Sequence, residues 1–381
     1  MEAILLNTKF ESVMIFDTYK SFIWTDRYDE AGDFELCLPM DIELFDYIKK
    51  GYYLWNPDSE HVMIIETITI ESDDEEGSNL IVSGRSIESI LDRRIVWKQN
   101  SENKLIKTIF TMDVDTGEEY NLQDAVEILL NENVINPSIE VRKIPNFIFE
   151  RSYDEKVTKL TVEAQYLGES LYDIISKLCI ENEIGFKITL NEDNQFVFQL
   201  YAGIDRSYEQ INNPYVIFSP EFDNVMSTNY IDSVKTWKNV TLVAGEEKSD
   251  GESSTDTIRD IYVEGFASGI ERREIFTDAN NITSSVDGGT LTADQYYAQL
   301  RKSGIDTLID NMYINAFEGE VDPNRMYVYG VDYYIGDIVQ IANEYGQEGQ
   351  AYISEFIMSS DENGTTAYPT FKSIEKGVYE T

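Results

Sequence analysis

The chain has 381 residues, a length that predicts about two to four domains with buried cores. It carries 71 Asp and Glu residues against 30 Lys and Arg residues, a net charge of −41 at pH 7. This charge excludes ordinary nucleic-acid binding, which needs positive groups against the phosphates, and argues against docking on anionic membranes. Hydrophobic residues make up 42% and aromatic residues 12% of the chain, so we expect a folded protein rather than a disordered acidic tail.

Residues 1–95 are predicted to form a β-rich domain. Short runs of β-branched and aromatic residues alternate with Asp, Asn and Gly, a pattern typical of strands and turns. The clearest of these runs are VMIFD, FIWTDRY, DFELCLP, YYLWN, HVMIIETITIE and NLIVSG. One short helix is expected from about Ile42 to Lys50, with Asp41 as its N-cap and Gly51 at its end.

Residues 96–212 are predicted to form a mixed α/β domain. The segments LQDAVEILLNENV and ESLYDIISKLCIENEIG place their apolar residues at helical spacing. The strands FKITL and QFVFQLY are separated by the polar turn NEDN, which indicates a hairpin.

Residues 213–257 and 321–381 are predicted to form a second β-rich domain, interrupted by a helical insertion at 258–320. The long helix of this insertion is expected to begin at Thr292, where Gln295 completes a capping box. The polar segment EEKSDGESSTDTIRD, residues 246–260, is predicted to be an exposed loop or linker.

The cysteines and the N-terminal segment indicate that the protein is synthesised in the reducing environment of the cytoplasm. Cys37 and Cys179 lie in apolar runs, which predicts buried thiols rather than a disulfide. The first residues lack the basic and apolar parts of a secretory signal, and no apolar run approaches the roughly 18 residues of a membrane-spanning helix. We therefore expect synthesis and folding in the cytoplasm, without a membrane partner.

Signatures of catalysis or of cofactor binding do not stand out in the sequence. His61 is the only histidine, so one subunit cannot supply a multi-histidine zinc site, and a surface or strand-edge histidine is the favoured interpretation. The segment from Asp113 to Glu119 resembles a calcium loop, but Gly117 and Asp124 fall at the wrong positions, so a turn before a helix at Leu122 is favoured. We predict no catalytic residue, no metal and no cofactor.

Five patches, in order along the chain, resemble one protein family. They are Trp24 to Tyr28 followed by Gly32, Phe34 and Pro39; Gly84-Arg85-Ser86 leading to Arg93-Arg94-Ile95; Gly203 to Ser207 followed by Pro214, Phe218 and Asn224; Gly265 to Glu274; and Tyr329 to Tyr333 followed by Gly336 to Val339. Together they are similar to the minor tail proteins of long-tailed phages, or siphophages, that act as the tail hub, or baseplate hub, at the tail tip.

This resemblance implies an α+β, β-rich multi-domain fold, like that of phage baseplate hubs. Each subunit would contribute two tube-like β-barrel domains, with mixed α/β and helical insertions, to a homotrimer. The trimer would present six similar units to the six-fold tail tube and surround the channel for DNA ejection. The implied partners are the tail-tube or distal tail protein, the tape-measure protein, a tip or receptor-binding protein, and genomic DNA in transit without specific binding. The location would be the virion tail tip.

The residues of these patches are expected to be structural or to lie at interfaces. Gly32 and Gly336 suit turns that need positive φ. Four arginines are expected to bridge carboxylates within or between subunits: Arg27, Arg206, Arg272 and Arg273. Four aromatic residues are expected in a core or an interface: Trp24, Tyr28, Phe34 and Tyr333. The last two candidates are the motif aspartates Asp332 and Asp337.

Two other functions remain open at this stage. A tail-tip adhesin that binds host cell-wall carbohydrate would use aromatic and acidic surfaces. A carboxylate-based cell-wall hydrolase would need two acids in one cleft, and with 71 acids the sequence does not single out a pair. Because the chain ends soon after its last β-rich block, an appended peptidase or carbohydrate-binding domain is not expected. Part of the acidic charge is predicted to line a channel that must not retain DNA.

Overall fold

A computed structural model describes residues 1–73, 77–113, 116–249, 257–286, 289–321 and 326–373. The helices are α1 (Ile42–Tyr47), α2 (Leu122–Leu130), α3 (Glu155–Thr158), α4 (Leu171–Glu181) and α5 (Ala293–Ile309). The strands of the first part are β1 (Ala3–Leu6), β2 (Ser12–Phe16), β3 (Ser21–Arg27), β4 (Asp33–Pro39), β5 (Tyr53–Trp55), β6 (Val62–Asp73), β7 (Gly77–Ser86), β8 (Lys98–Gln99), β9 (Leu105–Ile106), β10 (Thr108–Phe110), β11 (Tyr120–Asn121), β12 (Phe147–Glu150), β13 (Thr161–Val162), β14 (Ala164–Tyr166), β15 (Gly185–Leu190) and β16 (Phe196–Tyr201).

The later strands are β17 (Ile217–Phe218), β18 (Val225–Ser233), β19 (Val240–Ser249), β20 (Thr257–Glu264), β21 (Glu274–Asp278), β22 (Ser285–Val286), β23 (Gly289–Thr290), β24 (Ile314–Val321), β25 (Ile338–Ala342), β26 (Glu348–Asp361) and β27 (Gly364–Ser373). The fold is therefore β-rich with helical insertions. The segment predicted as a loop at 246–260 instead contributes Glu246–Ser249 to β19 and 257–260 to β20, and its central residues lie outside the described ranges.

One sheet contains strands from both ends of the chain. Its order is β17-β25-β26-β3-β4-β7-β6-β5-β1-β2, with β27 on the other edge of β26. In the described part of the chain this order is open, with β17 and β2 at its ends, rather than closed into a barrel. The two β-rich blocks of the sequence are thus continuous through the antiparallel pair β3–β26.

The long strand β26 makes this continuity possible. Its first half pairs with β25 and its second half with β3, while β27 runs along the opposite edge. A bulge between Ile353 and Glu355 separates the two halves, and such bulges bend a strand and increase its twist. One apolar core, which includes Trp24, Phe34 and Tyr333, packs across the joined strands.

The mixed domain forms a second apolar core. The hairpin β15–β16 occurs where the sequence predicted it, and β12 adds to β16 in parallel. The two predicted helices are confirmed as α2 and α4. Asn121 and Ser170 cap them by accepting bonds from backbone N–H groups inside the first turn, and their apolar faces pack on the small sheet.

A third unit consists of the sheet β20-β19-β21 and helix α5. The capping box predicted at Thr292 is confirmed, because both reciprocal bonds with Gln295 are present. Gly304 of α5 allows close packing, since a Cβ there would touch Val243 and Thr241 of β19. Within the described ranges, no helix combines the length and apolar character needed to cross a bilayer.

Candidate functional site: a buried joint between the large sheet and the mixed domain

Tyr28 directly follows β3 and lies between two glycines from distant parts of the chain. A Cβ at Gly185 of β15 or at Gly336 before β25 would overlap the Tyr28 ring, so only glycine permits this approach at either position. Gly203 N–H donates to Tyr28 Oη at 3.0 Å. The tyrosine, which is 1% exposed, therefore joins the N-terminal strands, the mixed domain and the C-terminal strands.

The backbone around Tyr28 is bonded to the same three regions. Tyr28 N–H donates to the carbonyl of Ser354, the bulged residue of β26, at 3.0 Å, while Phe186 N–H of β15 donates to the Tyr28 carbonyl at 3.1 Å. Helix α4 adds two side-chain bonds: Ser176 Oγ donates to the Asp29 carbonyl at 2.8 Å, and Tyr172 Oη accepts from Ala31 N–H at 2.8 Å. We call residues 28–31, together with these contacts, the joint.

Asp29 is a buried carboxylate within the joint. Its Oδ2 accepts from Tyr352 Oη at 2.9 Å, and its Oδ1 lies 3.1 Å from Lys372 Nζ of β27. Burial raises the pKa of the neighbouring Tyr28 and Tyr352 hydroxyls, and the negative charge of Asp29 adds to this effect. Both tyrosines therefore remain neutral hydrogen-bonding groups at physiological pH.

Arg206 and Asp337 form a buried ion pair next to the Tyr28 ring, with Nε and Oδ2 at 2.6 Å. Asp337 Oδ1 also accepts from Ile204 N–H at 2.7 Å, and Oδ2 accepts from Tyr334 N–H at 3.1 Å. The carboxylate is thus fully hydrogen-bonded, which offsets the cost of burying its charge. The pair fixes the chain after β16 against the turn before β25.

Arg27 makes a second ion-pair group at the end of β3. Its Nε lies 2.6 Å from Glu355 Oε1 on β26, and its Nη1 lies 2.5 Å from Asp33 Oδ2. The same guanidinium donates to the Ala31 carbonyl at 2.9 Å. The bridges formed by Arg27 and Arg206 are therefore made within one subunit.

The two motif glycines differ in conformation. Gly336 has φ +86°, as predicted for a turn that requires glycine. Gly32 does not adopt positive φ, so that expectation is wrong; glycine is needed there because a Cβ would overlap the Thr25 carbonyl oxygen. Its N–H donates to Ser86 Oγ at 2.8 Å. Gly32 therefore permits the close approach of β3 and β4.

His61 is buried, which overturns the surface interpretation. It is 4% exposed, directly precedes β6, and its Nδ1 lies 3.2 Å from Glu88 Oε1. Burial alone would lower the pKa of His61, but the charges of Asp26 and Glu88 outweigh it and raise the pKa to about 9. His61 is therefore a buried cation at neutral pH. The sequence could not indicate this, because the compensating carboxylates come from other segments.

Asp26 connects this buried cation to the core. Its Oδ1 accepts from Trp24 Nε1 at 2.8 Å, and its Oδ2 accepts from Ser59 Oγ at 2.8 Å. Ser59 Oγ in turn accepts from His61 N–H at 3.1 Å. Glu88 in turn accepts from Ile188 N–H of β15 at 2.6 Å. This chain of bonds is a second polar link between the large sheet and the mixed domain.

Three of the candidate residues lie away from both the joint and the apolar core that contains Trp24, Phe34 and Tyr333. Asp332 accepts a backbone bond from Val328 N–H at 2.7 Å in an exposed turn. Arg272 pairs with Glu274 at 2.6 Å, and Arg273 donates to the Val234 carbonyl at 2.8 Å, both beside the sheet β20-β19-β21. The joint and this distant region are therefore separate features.

The joint is suited to holding segments together rather than to chemistry on a substrate. The carboxylates of Asp337 and Asp29 are bonded to cations or N–H donors of the same chain. The buried Tyr28 ring fills the centre of the joint. In the ranges that the structure describes, no three His, Cys, Asp or Glu side chains are grouped so as to hold a metal ion. Sequence reasoning missed Gly185, Asp29 and Ser354, since nothing local marks them.

Three solved structures with a similar fold are tail proteins, two of them from prophages. The 43 kDa tail protein of prophage MuSo2 from Shewanella oneidensis is 14% identical, with a TM-score of 0.53 and coverage of 98% of each chain. The prophage tail protein gp18 from Listeria monocytogenes EGD-e is 11% identical, with a TM-score of 0.54 over 99% of this chain and 96% of that chain. The tail protein from Neisseria meningitidis MC58 is 12% identical, with a TM-score of 0.54 over 99% and 97%.

At these identities the similarity shows the fold alone. No curated protein matches the sequence. The profile of the Siphovirus ReqiPepy6 Gp37-like protein family matches residues 2–371, nearly the whole chain. This match confirms the resemblance to siphophage tail proteins that the five sequence patches indicated: the chain belongs to the Siphovirus ReqiPepy6 Gp37-like protein family.

Proposed function

We propose that the protein is a structural tail protein that forms a homotrimeric hub at the tail tip. The hub joins the six-fold tail tube, directly or through a distal tail protein, to the tip or receptor-binding proteins. It surrounds the channel that holds the end of the tape-measure protein and later passes the genome. The family match supports the tail assignment, and the order of the sequence patches supports the hub assignment.

The joint is the observation that carries this proposal. A hub must keep its ring-forming units at fixed positions while a tail is built on it. The Tyr28 ring, the Arg206–Asp337 pair and the Asp29 bonds connect three parts of the chain in one buried site. Buried, fully bonded polar networks favour one defined arrangement of the parts that they connect.

The large sheet supplies two groups of strands for the two tube-like units of each subunit. In this proposal, β1 to β7 form one unit and β17, β25, β26 and β27 form the other, and they meet at the pair β3–β26. Three subunits then present six such units to the tail tube. Because the two units of one subunit differ in sequence, the ring of six units has only approximate six-fold symmetry.

The acidic charge suits a channel for DNA. A net charge of −41 repels phosphates, so a lumen lined with part of this charge lets the genome pass without retention. The same charge keeps the large β-rich surface soluble during assembly. A channel with a neutral or basic lining would overturn this part of the proposal and leave the hub role intact.

Immunogold electron microscopy tests the location. Antibodies raised against the purified chain are applied to intact virions, and pre-immune serum applied to the same virions is the control. We expect gold at the distal tip of wild-type tails and on no other part of the particle. Label along the tail shaft or on the head, or intact virions that contain none of the chain, would overturn the proposal.

A further inference from the structure

Two segments that pack on the core of the mixed domain bring basic side chains together. Arg93 ends the 3₁₀ helix Ile87–Arg93 and Arg94 follows it, while Arg142 ends the short turn Glu140–Arg142. Arg94 Nε donates to the Arg142 carbonyl at 2.9 Å, and Arg142 Nη2 donates to the Ile95 carbonyl at 2.7 Å. These bonds hold the two segments side by side. We call Arg93, Arg94, Arg142 and the exposed Lys143 the basic site.

Neutral groups hold the two central guanidinium groups in place. Arg142 Nη2 also donates to Asn133 Oδ1 at 2.9 Å, and the guanidinium carbon of Arg142 lies 4.6 Å from the centre of the Trp97 ring. Arg94 Nη1 donates to the Arg93 carbonyl at 2.9 Å. A guanidinium has more N–H donors than these bonds use, so donors remain for an anion. Because the side chains are already ordered, they lose little conformational entropy when they bind one.

The chain does not supply the counter-charge for the basic site. None of the ion pairs among the described residues involves a member of the site. The neighbouring acids pair with other cations: Asp92 Oδ2 lies 3.6 Å from Arg85 Nη1, and Glu132 Oε1 lies 3.2 Å from Lys98 Nζ. Glu140, in the same turn as Arg142, is exposed. The basic site therefore keeps its positive charge in a chain of net charge −41.

The positive charges of the basic site repel one another. Burial and the charge of Arg93 lower the pKa of Arg94, and burial and the charge of Arg94 lower the pKa of Arg142. Both guanidinium groups nevertheless stay protonated at neutral pH, because arginine loses its proton only far above it. Holding like charges together costs free energy in the isolated subunit, and a bound anion offsets that cost.

Exposed apolar side chains in the same two segments favour a protein as the source of the anion. Ile95 is 51% exposed and Val141 is 89% exposed. Nucleic acid and other phosphate polymers present phosphates without apolar side chains, and the net charge of −41 repels them as a whole. An acidic protein segment supplies carboxylates, which match the forked donors of arginine, together with apolar side chains.

We propose that the basic site binds an acidic segment of another protein, whose carboxylates contact Arg93, Arg94 and Arg142. An apolar side chain of the segment packs on Ile95 or Val141. Within the tail role proposed above, the segment belongs to a neighbouring tail protein, and that identification rests on the proposed function. The binding itself does not depend on the oligomeric state of the chain.

Fluorescence anisotropy of a labelled peptide tests the binding with the full chain. The probe is a fluorescein-labelled peptide in which Glu and Leu alternate, and the control probe has Gln in place of every Glu. At about 0.05 M NaCl, where charges are weakly screened, we expect the acidic peptide to bind and the Gln peptide not to bind. Equal affinity for the two peptides would overturn the inference, because the carboxylates would then contribute nothing.

A pair of variants with the same change of charge locates the binding. Arg93 and Lys143 are exposed, so R93S/K143S removes two cations of the basic site without removing a buried side chain. We expect it to weaken binding of the acidic peptide by about tenfold or more. K49S/K50S is the matched control, since Lys49 and Lys50 are also exposed, and it should bind like wild type. Unchanged thermal midpoints show that both variants fold, and equal affinities of the two variants would overturn the inference.

Hydrogen exchange and competing anions supply two further measurements. On addition of the acidic peptide, we expect the amides of residues 93–97 and 139–143 to exchange more slowly, whereas protection confined to other segments would overturn the site. Inorganic phosphate and single-stranded DNA are added as competitors, and we expect neither to displace the peptide when present at the same concentration as the peptide. DNA that binds as tightly as the peptide, and loses this binding in R93S/K143S, would overturn the choice of a protein ligand.

The outcomes separate this inference from the proposed function. A wild-type chain that does not bind the acidic peptide would overturn the inference and leave the hub role standing, because the immunogold result does not depend on the basic site. Peptide binding that R93S/K143S weakens would support the inference even if the gold label lay elsewhere on the virion. In that case only the assignment of the segment to a tail protein would fall with the proposed function.

Discussion

The Arg206 guanidinium and the Asp337 carboxylate meet at 2.6 Å, although 131 residues separate them in the sequence. Arg206 follows the last strand of the mixed domain, and Asp337 precedes β25 of the large sheet. Both side chains are almost fully buried. The pair therefore connects two domains, and its loss should lower the stability of both.

Removing one partner of this pair should strongly destabilise the protein. D337A leaves Arg206 buried without its counter-charge and is expected to lower the free energy of unfolding by about 3–5 kcal/mol. The double variant R206M/D337L removes both charges and should cost less than D337A alone. Urea denaturation measures both changes. A loss below about 1 kcal/mol for D337A would contradict the role given to the pair.

The fit of Tyr28 against Gly336 predicts a sharp difference between two glycines. In G336A the new methyl group meets the Tyr28 ring and a left-handed backbone, so we expect a loss of about 3 kcal/mol or more. Gly346 has nearly the same φ, +83°, but nothing lies within 4 Å of a Cβ there. G346A should therefore cost only about 1 kcal/mol. Equal thermal shifts in the two variants would show that the Tyr28 contact contributes nothing.

The buried His61 predicts a loss of stability on the alkaline side. Its pKa is raised from 6.5 to about 9 in the folded protein, so its contribution is fully present below pH 6.5 and disappears as the pH rises through 9. The contribution at neutral pH and below is at most about 3 kcal/mol. H61Q should be less stable than wild type at pH 6 and should lose less stability between pH 6.5 and 9.

Proton NMR checks this directly, because the chain has one histidine, so the ring C–H signals come from a single imidazole. We expect a titration midpoint near 9 in the folded protein. A midpoint near or below 6.5 would mean that Asp26 and Glu88 do not hold the proton on His61.

The net charge predicts an unusual response to salt. Repulsion among 71 acidic groups opposes the compact state, and added salt screens it within a Debye length of about 10 Å at 0.1 M. We expect the melting temperature to rise when NaCl increases from about 0.05 M to 0.5 M, since ion pairs at the surface contribute little. An unchanged or lower melting temperature would show that the charges are already compensated locally.

Local patterns were sufficient to predict several of the regular elements, but not the strands β19 and β20, which extend into the predicted loop at 246–260. The period of apolar residues gave α4, the capping box at Thr292 gave the start of α5, and the turn NEDN gave the hairpin β15–β16. The prediction for α1 was correct at its Asp41 N-cap but too long, since the helix ends at Tyr47. Short-range signals of this kind depend only on neighbouring residues.

The joint could not be predicted in the same way. No local feature of the sequence indicates that Tyr28 contacts Gly185 and Gly336, because this contact depends on how three distant segments pack. The same holds for His61, whose burial is possible only beside Asp26 and Glu88. The sequence patches nevertheless contained Tyr28, Asp26 and Gly336. The boundaries proposed for the four domains remain predictions.

The central claim, a three-fold hub, is tested most directly by negative-stain electron microscopy of the purified chain. Class averages should show rings with three-fold symmetry and a central opening, and the particle mass should be about three times the 43.8 kDa of the chain. Monomers alone, or rings of another symmetry, would contradict the account.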